Sequence, residues 1–119
     1  MNRTLTTALA ALILATFACG NGDVEPVNHD VIYYVRGTAS TVSLTYENES
    51  GNTEQKDGVE LPWRKMMSVE DGAFLYISAQ NEQDSGSVVC EILVDGVKME
   101  EASSSGAYVI ATCSGQVGE

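Results

Sequence analysis

Histidine, cysteine and basic side chains are all scarce in this chain. One histidine and three cysteines among 119 residues are a thin stock for catalysis or for metal binding. Zinc sites need several Cys or His at short spacings, and none of the known spacings occurs. A serine hydrolase needs a base next to an activated serine. The one candidate, His29, falls in a polar stretch ahead of the main strand-rich region. No D-x-[DN]-x-[DN]-G calcium loop is present despite the many carboxylates. A glycosidase would need two facing carboxylates in a cleft, and the chain is too short for two lobes and has no cluster of aromatics to make a sugar platform. No catalytic residue, metal or cofactor is expected. Lys and Arg number 6 against 17 Asp and Glu, a formal net charge of -11. Nucleic-acid binding needs a basic footprint that releases counterions from phosphates, so that class is excluded. An anionic bilayer would repel the same surface, so membrane attachment must be hydrophobic or covalent. No apolar run reaches the roughly 20 residues of a membrane-spanning helix.

What is present begins with an export signal. Arg3 and the terminal amine supply positive charge. Residues 5–17 are uncharged and mostly apolar, a length that suits the roughly 7–15 residues of a signal core. The segment ends Thr16-Phe17-Ala18-Cys19-Gly20, a small residue directly before a cysteine. This resembles a bacterial lipobox, although Thr16 stands where Leu is preferred. Residues 1–18 are accordingly read as a lipoprotein-type signal peptide and Cys19 as the acylated first residue. Two or more acyl chains suffice for stable anchoring. An uncleaved anchor over residues 4–19 and an ordinary secretory signal are the rival readings. With Cys19 carrying lipid, Cys90 and Cys113 remain as an even pair in an oxidising compartment, which suits a structural disulfide. Neither lies in a C-x-x-C redox motif.

Residues 19–30, with Asp23, Glu25, Pro26, His29 and Asp30, read as an acidic tether. His29 and its acidic neighbours there are taken as a solvated linker, since ordering a flexible tether around an ion costs more than a weak site returns. Residues 31–119 are read as one domain of strands and turns. Residues 31–36 are β-branched and aromatic. Val42, Leu44 and Tyr46 alternate with Ser43 and Thr45, the period of a half-buried strand. Residues 53–60 are polar, with Asp57-Gly58 a turn or bulge, and Pro62 belongs at an edge or a strand start. Residues 64–69 resume a strand before the Glu70-Asp71-Gly72 turn. Leu75, Ile77 and Ala79 share one face of the next strand, with Phe74 and Tyr76 on the other. Val88, Cys90, Ile92 and Val94 share a face, and Asp95-Gly96 suits a type I′ hairpin. A strand over residues 97–101, a serine loop at 103–106 and a last strand over 107–113 complete the chain. Cys90 and Cys113 point the same way as their apolar neighbours, so a buried bridge fits that parity. Short strands without a helical period predict an all-β fold, an immunoglobulin-like β-sandwich of about seven strands. A small barrel is the alternative.

The order of motifs resembles the mycobacterial membrane protein small (MmpS) family. The residues that carry the resemblance are Tyr33 to Gly37 with the Thr45-Tyr46 strand, Leu61-Pro62-Trp63, Ile77 to Asn81, Cys90 to Gly96, and residues 107–113. The resemblance implies a β-sandwich outside the cytoplasmic membrane that assists a resistance-nodulation-division (RND, MmpL-type) exporter of lipids or siderophores. It also implies that Cys90 and Cys113 are the family's paired cysteines. Typical members carry a longer membrane-spanning helix in place of the lipobox-like end. The expected partner is therefore an RND/MmpL-type membrane transporter, with the membrane reached through the lipid and the domain on its extracytoplasmic face. A stand-alone envelope domain binding a soluble or cell-wall ligand is the competing expectation. Pro62 and Trp63 are candidate partner contacts, although a lone Trp in a small sandwich more often fills the core. Met66 and Met67 must face opposite sides of their strand, exposing one of them.

Overall fold

The computed structural model describes residues 26–118. Eight strands follow one another: β1 (Asn28–Arg36), β2 (Thr41–Glu47), β3 (Thr53–Glu60), β4 (Trp63–Glu70), β5 (Phe74–Asn81), β6 (Ser87–Val94), β7 (Val97–Ser105) and β8 (Ile110–Gln116). They form two four-stranded antiparallel sheets, ordered β4-β1-β6-β7 and β3-β2-β5-β8. Among the described residues, only β2–β3 and β6–β7 are hairpins within a sheet; every other connection crosses between sheets. The fold is thus the expected all-β sandwich, built of eight strands.

Alternation in the sequence translates directly into layering, because successive side chains on a strand point to opposite faces. Val31, Tyr33 and Val35 of β1 and Val88, Cys90 and Ile92 of β6 are fully buried from the first sheet. From the second sheet, Val42, Leu44 and Tyr46 meet them together with Leu75, Ile77 and Ala79. The methionine pair splits as the strand period requires: Met67 is 8% exposed and Met66 67%. In the β6–β7 turn, Asp95 and Gly96 have φ of 51° and 82°, the two left-handed positions of a type I′ turn. Asp57 and Gly58 together oppose Ser43, because the β2–β3 register shifts between Val42 and Leu44. That two-against-one pairing is a bulge.

Several boundaries differ from the sequence reading, each for a long-range reason. β1 starts at Asn28, so residues 28–30 belong to the sandwich and not to the tether. They pair with β4 through Asn28↔Glu70, His29↔Val69 and Asp30↔Ser68. β7 continues to Ser105, since Ser103, Ser104 and Ser105 pair with Val89, Val88 and Ser87. A serine run carries little intrinsic strand signal, and the neighbouring strand supplies the order instead. The last strand begins at Ile110, because Ala107 and Tyr108 form a turn with Tyr108 at φ 55°.

Three polar devices lock the sandwich. Tyr33, on the first sheet, reaches across the core. Its hydroxyl donates to the Glu47 carbonyl at 2.8 Å and accepts from the Tyr76 amide at 3.1 Å. The β2–β5 ladder ends at Tyr46↔Ile77, so the phenol satisfies backbone groups just where the strands part. Burial pushes its pKa up to about 12. Asn81, fully buried, donates to the carbonyls of Ser85 and Gly106 and accepts from the Gln83 amide. It thereby ties together the loop after β5 and the β7–β8 turn. The third device is covalent: Cys90 of β6 and Cys113 of β8 form a disulfide between the two sheets, with Cα atoms 6.2 Å apart.

Candidate functional site on the outer face of the first sheet

Of the residues singled out in the sequence, Cys19 and most of the tether lie outside the described residues. Pro62 and Trp63 sit where the chain passes from the second sheet to the first, the Leu61–Pro62 bond being cis. Their side chains part company there. Trp63 turns inward, partly buried, and packs on Tyr46 at 5.3 Å between centroids. Tyr46 in turn meets Tyr33 edge-on at 5.8 Å. Trp63 is the lid of an aromatic core, as a lone Trp in a small sandwich commonly is. Pro62 remains exposed, and the next outward-facing residues on β4 are Arg64 and Met66.

Strand register spreads that exposed edge into a surface. Met66 lies beside Ile32, and Ile32 beside Leu93, an apolar row across β4, β1 and β6. Arg64, Tyr34 and Glu91 make the adjoining row. The guanidinium of Arg64 covers the Tyr34 ring at 5.5 Å, a cation–π contact that holds it flat on the sheet. Two shallow depressions meet at Ile32. One of about 300 Å³ is lined by Tyr34, Arg64, Glu91 and Leu93, and one of about 480 Å³ by Asp30 and the two methionines. Farther along, Arg36 donates two bonds to the mostly buried Glu91 and one to Glu101, which also takes Lys98. These ion pairs neutralise one flank of the face and hold its strands in register. The hydrogen bond to Glu91 is the main cause of a raised Arg36 pKa.

At the end of this sheet stands His29, which sequence reasoning assigned to a solvated linker. The structure corrects that reading. Its side chain is 17% exposed, with Nδ1 2.7 Å from Asp95 Oδ2 and Nε2 2.9 Å from Asp71 Oδ1. Ionised carboxylates only accept, so both ring nitrogens donate when the imidazole is protonated. Hydrogen bonds donated to Asp95 and, next, to Asp71 raise the His29 pKa, and Asp95 is lowered chiefly by the same bond. One residue at the root of β1 thus clamps the β4–β5 and β6–β7 turns. Its partners are 42 and 66 residues distant, and no local signal in the sequence announces them.

The paired cysteines, the Leu-Pro-Trp corner and the order of strands now stand together in one fold, and comparison with known proteins agrees. Residues 15–117 match the family described as Mycobacterium membrane protein. The chain belongs to this family. It is similar to the siderophore export accessory protein MmpS5 of Mycobacterium tuberculosis (strain ATCC 25618 / H37Rv). The two are 31% identical over 103 residues, which cover 85% of this chain and 71% of the relative. It is also similar to the probable transport accessory protein MmpS4 of Mycobacterium leprae (strain TN), at 30% identity over 95 residues, 77% of this chain and 60% of that one. Membership in the MmpS family sets the chain among membrane-associated proteins. Among the described residues, no helix is long and apolar enough to cross a membrane.

Proposed function

We propose that this MmpS-family chain is a lipid-anchored accessory subunit of an RND/MmpL-type exporter of lipids or siderophores, working on the extracytoplasmic face of the cell membrane. The observation that carries the reading is its similarity, across most of its length, to relatives named as transport and siderophore export accessory proteins. The protein acts by binding rather than by catalysis. Acylated Cys19 confines the domain to the bilayer surface, and confinement raises the effective concentration for a weak protein contact. The contact surface is the outer face of the first sheet, entered at Pro62 and running over Arg64, Met66, Ile32 and Leu93. Trp63 supports it from below by fixing the corner that carries Pro62. Met66 and Ile32 supply the apolar centre that an interface core requires, and the ion pairs of Arg36 and Lys98 supply a polar rim.

Affinity purification from envelopes in mild detergent tests this reading, with mass spectrometry of the partners and of the first peptide. A stoichiometric RND transporter together with an acylated Cys19 is the expected result. An acylated peptide without a transporter would leave the lipoprotein and remove the exporter role.

A further inference from the structure

Among the described residues the two sheets end in four edge strands, β4, β7, β3 and β8. An edge is a row of unpaired backbone groups, ready to template another strand unless it is blunted or covered. β3 carries the Asp57–Gly58 bulge beside Lys56 and Glu60, and bulges and charges both blunt an edge. β7 and β8 close on one another across the sandwich: Ser104 Oγ donates to the Ile110 carbonyl at 2.7 Å, and Met99 lies against Gly115. β4 has neither protection. Its register with β1 runs without a shift from Trp63 to Glu70. The Asp71 amide donates to the Val27 carbonyl, one step beyond the Asn28↔Glu70 pair, and the Asp95 amide donates to the Asp30 carbonyl, one step beyond Val31↔Val94. Antiparallel pairs alternate between bonded and non-bonded. Trp63, Lys65, Met67 and Val69 therefore turn their backbone groups to β1, while Arg64, Met66, Ser68 and Glu70 turn theirs outward. Among the described residues, the Ala73 amide at the Glu70 carbonyl is the one backbone partner these outward groups have. The same four side chains are exposed on the outer face. Arg64 covers the Tyr34 ring, but among the described residues no carboxylate pairs with it and no cation pairs with Glu70.

From this edge we infer that β4 pairs antiparallel with β4 of a second copy of the chain, joining the two first sheets into one continuous sheet. The strand is self-complementary in one register. Placing Met66 of one copy opposite Ser68 of the other brings all the outward-bonding residues face to face, and it sets Arg64 opposite Glu70 on both sides of the two-fold axis. Opposite charges in such cross-strand pairs favour the pairing. A slip of one bonded pair loses both ion pairs: Arg64 then meets Ser68 with Glu70 against Pro62, or Arg64 meets Gly72. A guanidinium lying flat on a ring keeps its in-plane N–H groups for a carboxylate, so the Tyr34 contact and the new pair are compatible. An unrelated strand would have to bring an acid and a base in the matching order; a second copy carries both. The two-fold axis stands perpendicular to the joined sheet. Both outer faces, each with Met66 and Ile32, therefore lie on the same side. Confinement at a membrane raises the effective concentration, which lets a short edge contact suffice.

The test is disulfide trapping between two differently tagged full-length chains, one Met66→Cys and the other Ser68→Cys, produced together and oxidised in the envelope with copper phenanthroline. Opposed Cα atoms of a bonded antiparallel pair stand about 5.5 Å apart, within disulfide range. Like positions are offset along the strand and fall beyond the roughly 7 Å limit. The mixed 66–68 dimer is expected to exceed the 66–66 and 68–68 dimers at least about 5-fold. Arg64→Glu or Glu70→Arg, placed in both chains, is expected to lower its yield at least about 5-fold, and the two together to restore it to within about 2-fold. Restoration by the paired reversal separates lost pairing from a folding defect. Three results would each overturn the pairing: mixed dimers absent or no more abundant than like ones, losses that the paired reversal does not restore, and cysteines that link only to another protein. The readout is a bond between two copies, so it is decided separately from the exporter reading.

Discussion

Replacing Tyr33 with phenylalanine deletes one oxygen and keeps the ring, which isolates the polar bridge across the core. The lost hydroxyl bonds the Glu47 carbonyl and the Tyr76 amide at 2.8 and 3.1 Å, and the residue has no solvent exposure. Water cannot simply replace it there. A net hydrogen bond is worth roughly 1 kcal/mol, and a buried group left without a partner costs about 1–3 kcal/mol. Two backbone groups are stranded at the point where β2 and β5 part, so the loss is expected to be about 2 kcal/mol. For a domain of this size that lowers Tm by about 8–16 °C. Urea unfolding followed through the fluorescence of Trp63, the single tryptophan, gives the free energy, and amide exchange at Tyr76 gives its location. A loss below about 0.5 kcal/mol, with the Tyr76 amide still protected, would refute the bridge. The same phenol makes a prediction about alkali. Its pKa is raised by burial to about 12, above the ordinary value of about 10. The contribution is therefore fully present below pH about 10 and lost as pH rises toward the folded value; Tyr33→Phe should flatten part of that decline.

Three further outcomes follow from the same structure. Replacing both Cys90 and Cys113 by alanine opens a loop with a sequence separation of 23; by chain entropy this costs about 3 kcal/mol, read as a lower urea midpoint matching that of the reduced wild-type protein. His29 has a raised pKa, so its clamp is complete below the ordinary value of about 6.5 and weakens as pH rises through the folded value, while protonation of Asp95 ends it on the acid side; His29→Gln should remove this dependence from the exchange rates of the Asp30 and Asp95 amides. Met66→Asp, at a position 67% exposed, should change stability by less than about 0.5 kcal/mol and abolish transporter co-purification; unimpaired capture would move the interface elsewhere.

The fold was legible wherever burial imposed a period of two. Val42, Leu44 and Tyr46, or Leu75, Ile77 and Ala79, declare a strand and its inner face by themselves, and the parity of Cys90 and Cys113 foretold a bridge between buried positions. Asp95-Gly96 announced its turn because few residue pairs accept two left-handed conformations. What escaped the sequence depended on partners far along the chain. Ser103 to Ser105 become strand only because β6 offers an edge, and His29 becomes a clamp only because two turns converge on it. The candidate site was partly visible: Leu61-Pro62-Trp63 marked the corner, and Met66 beside Met67 guaranteed one exposed methionine. The register that joins Met66 to Ile32 and Leu93 was not visible, since cross-strand neighbours are fixed by the fold as a whole. Phe74 and Tyr76 were placed on one face by alternation, and they do share the outer face of β5.

Docking of the first sheet's outer face on an RND/MmpL-type exporter can be tested in the intact envelope. A photo-crosslinking amino acid placed at Met66, and for comparison at Thr112 on the opposite face, would be irradiated in cells and the adducts identified by mass spectrometry. An adduct with an RND transporter is expected from position 66 and none from position 112. A transporter adduct from position 112 alone, or none from either position in cells that carry the exporter, would contradict it.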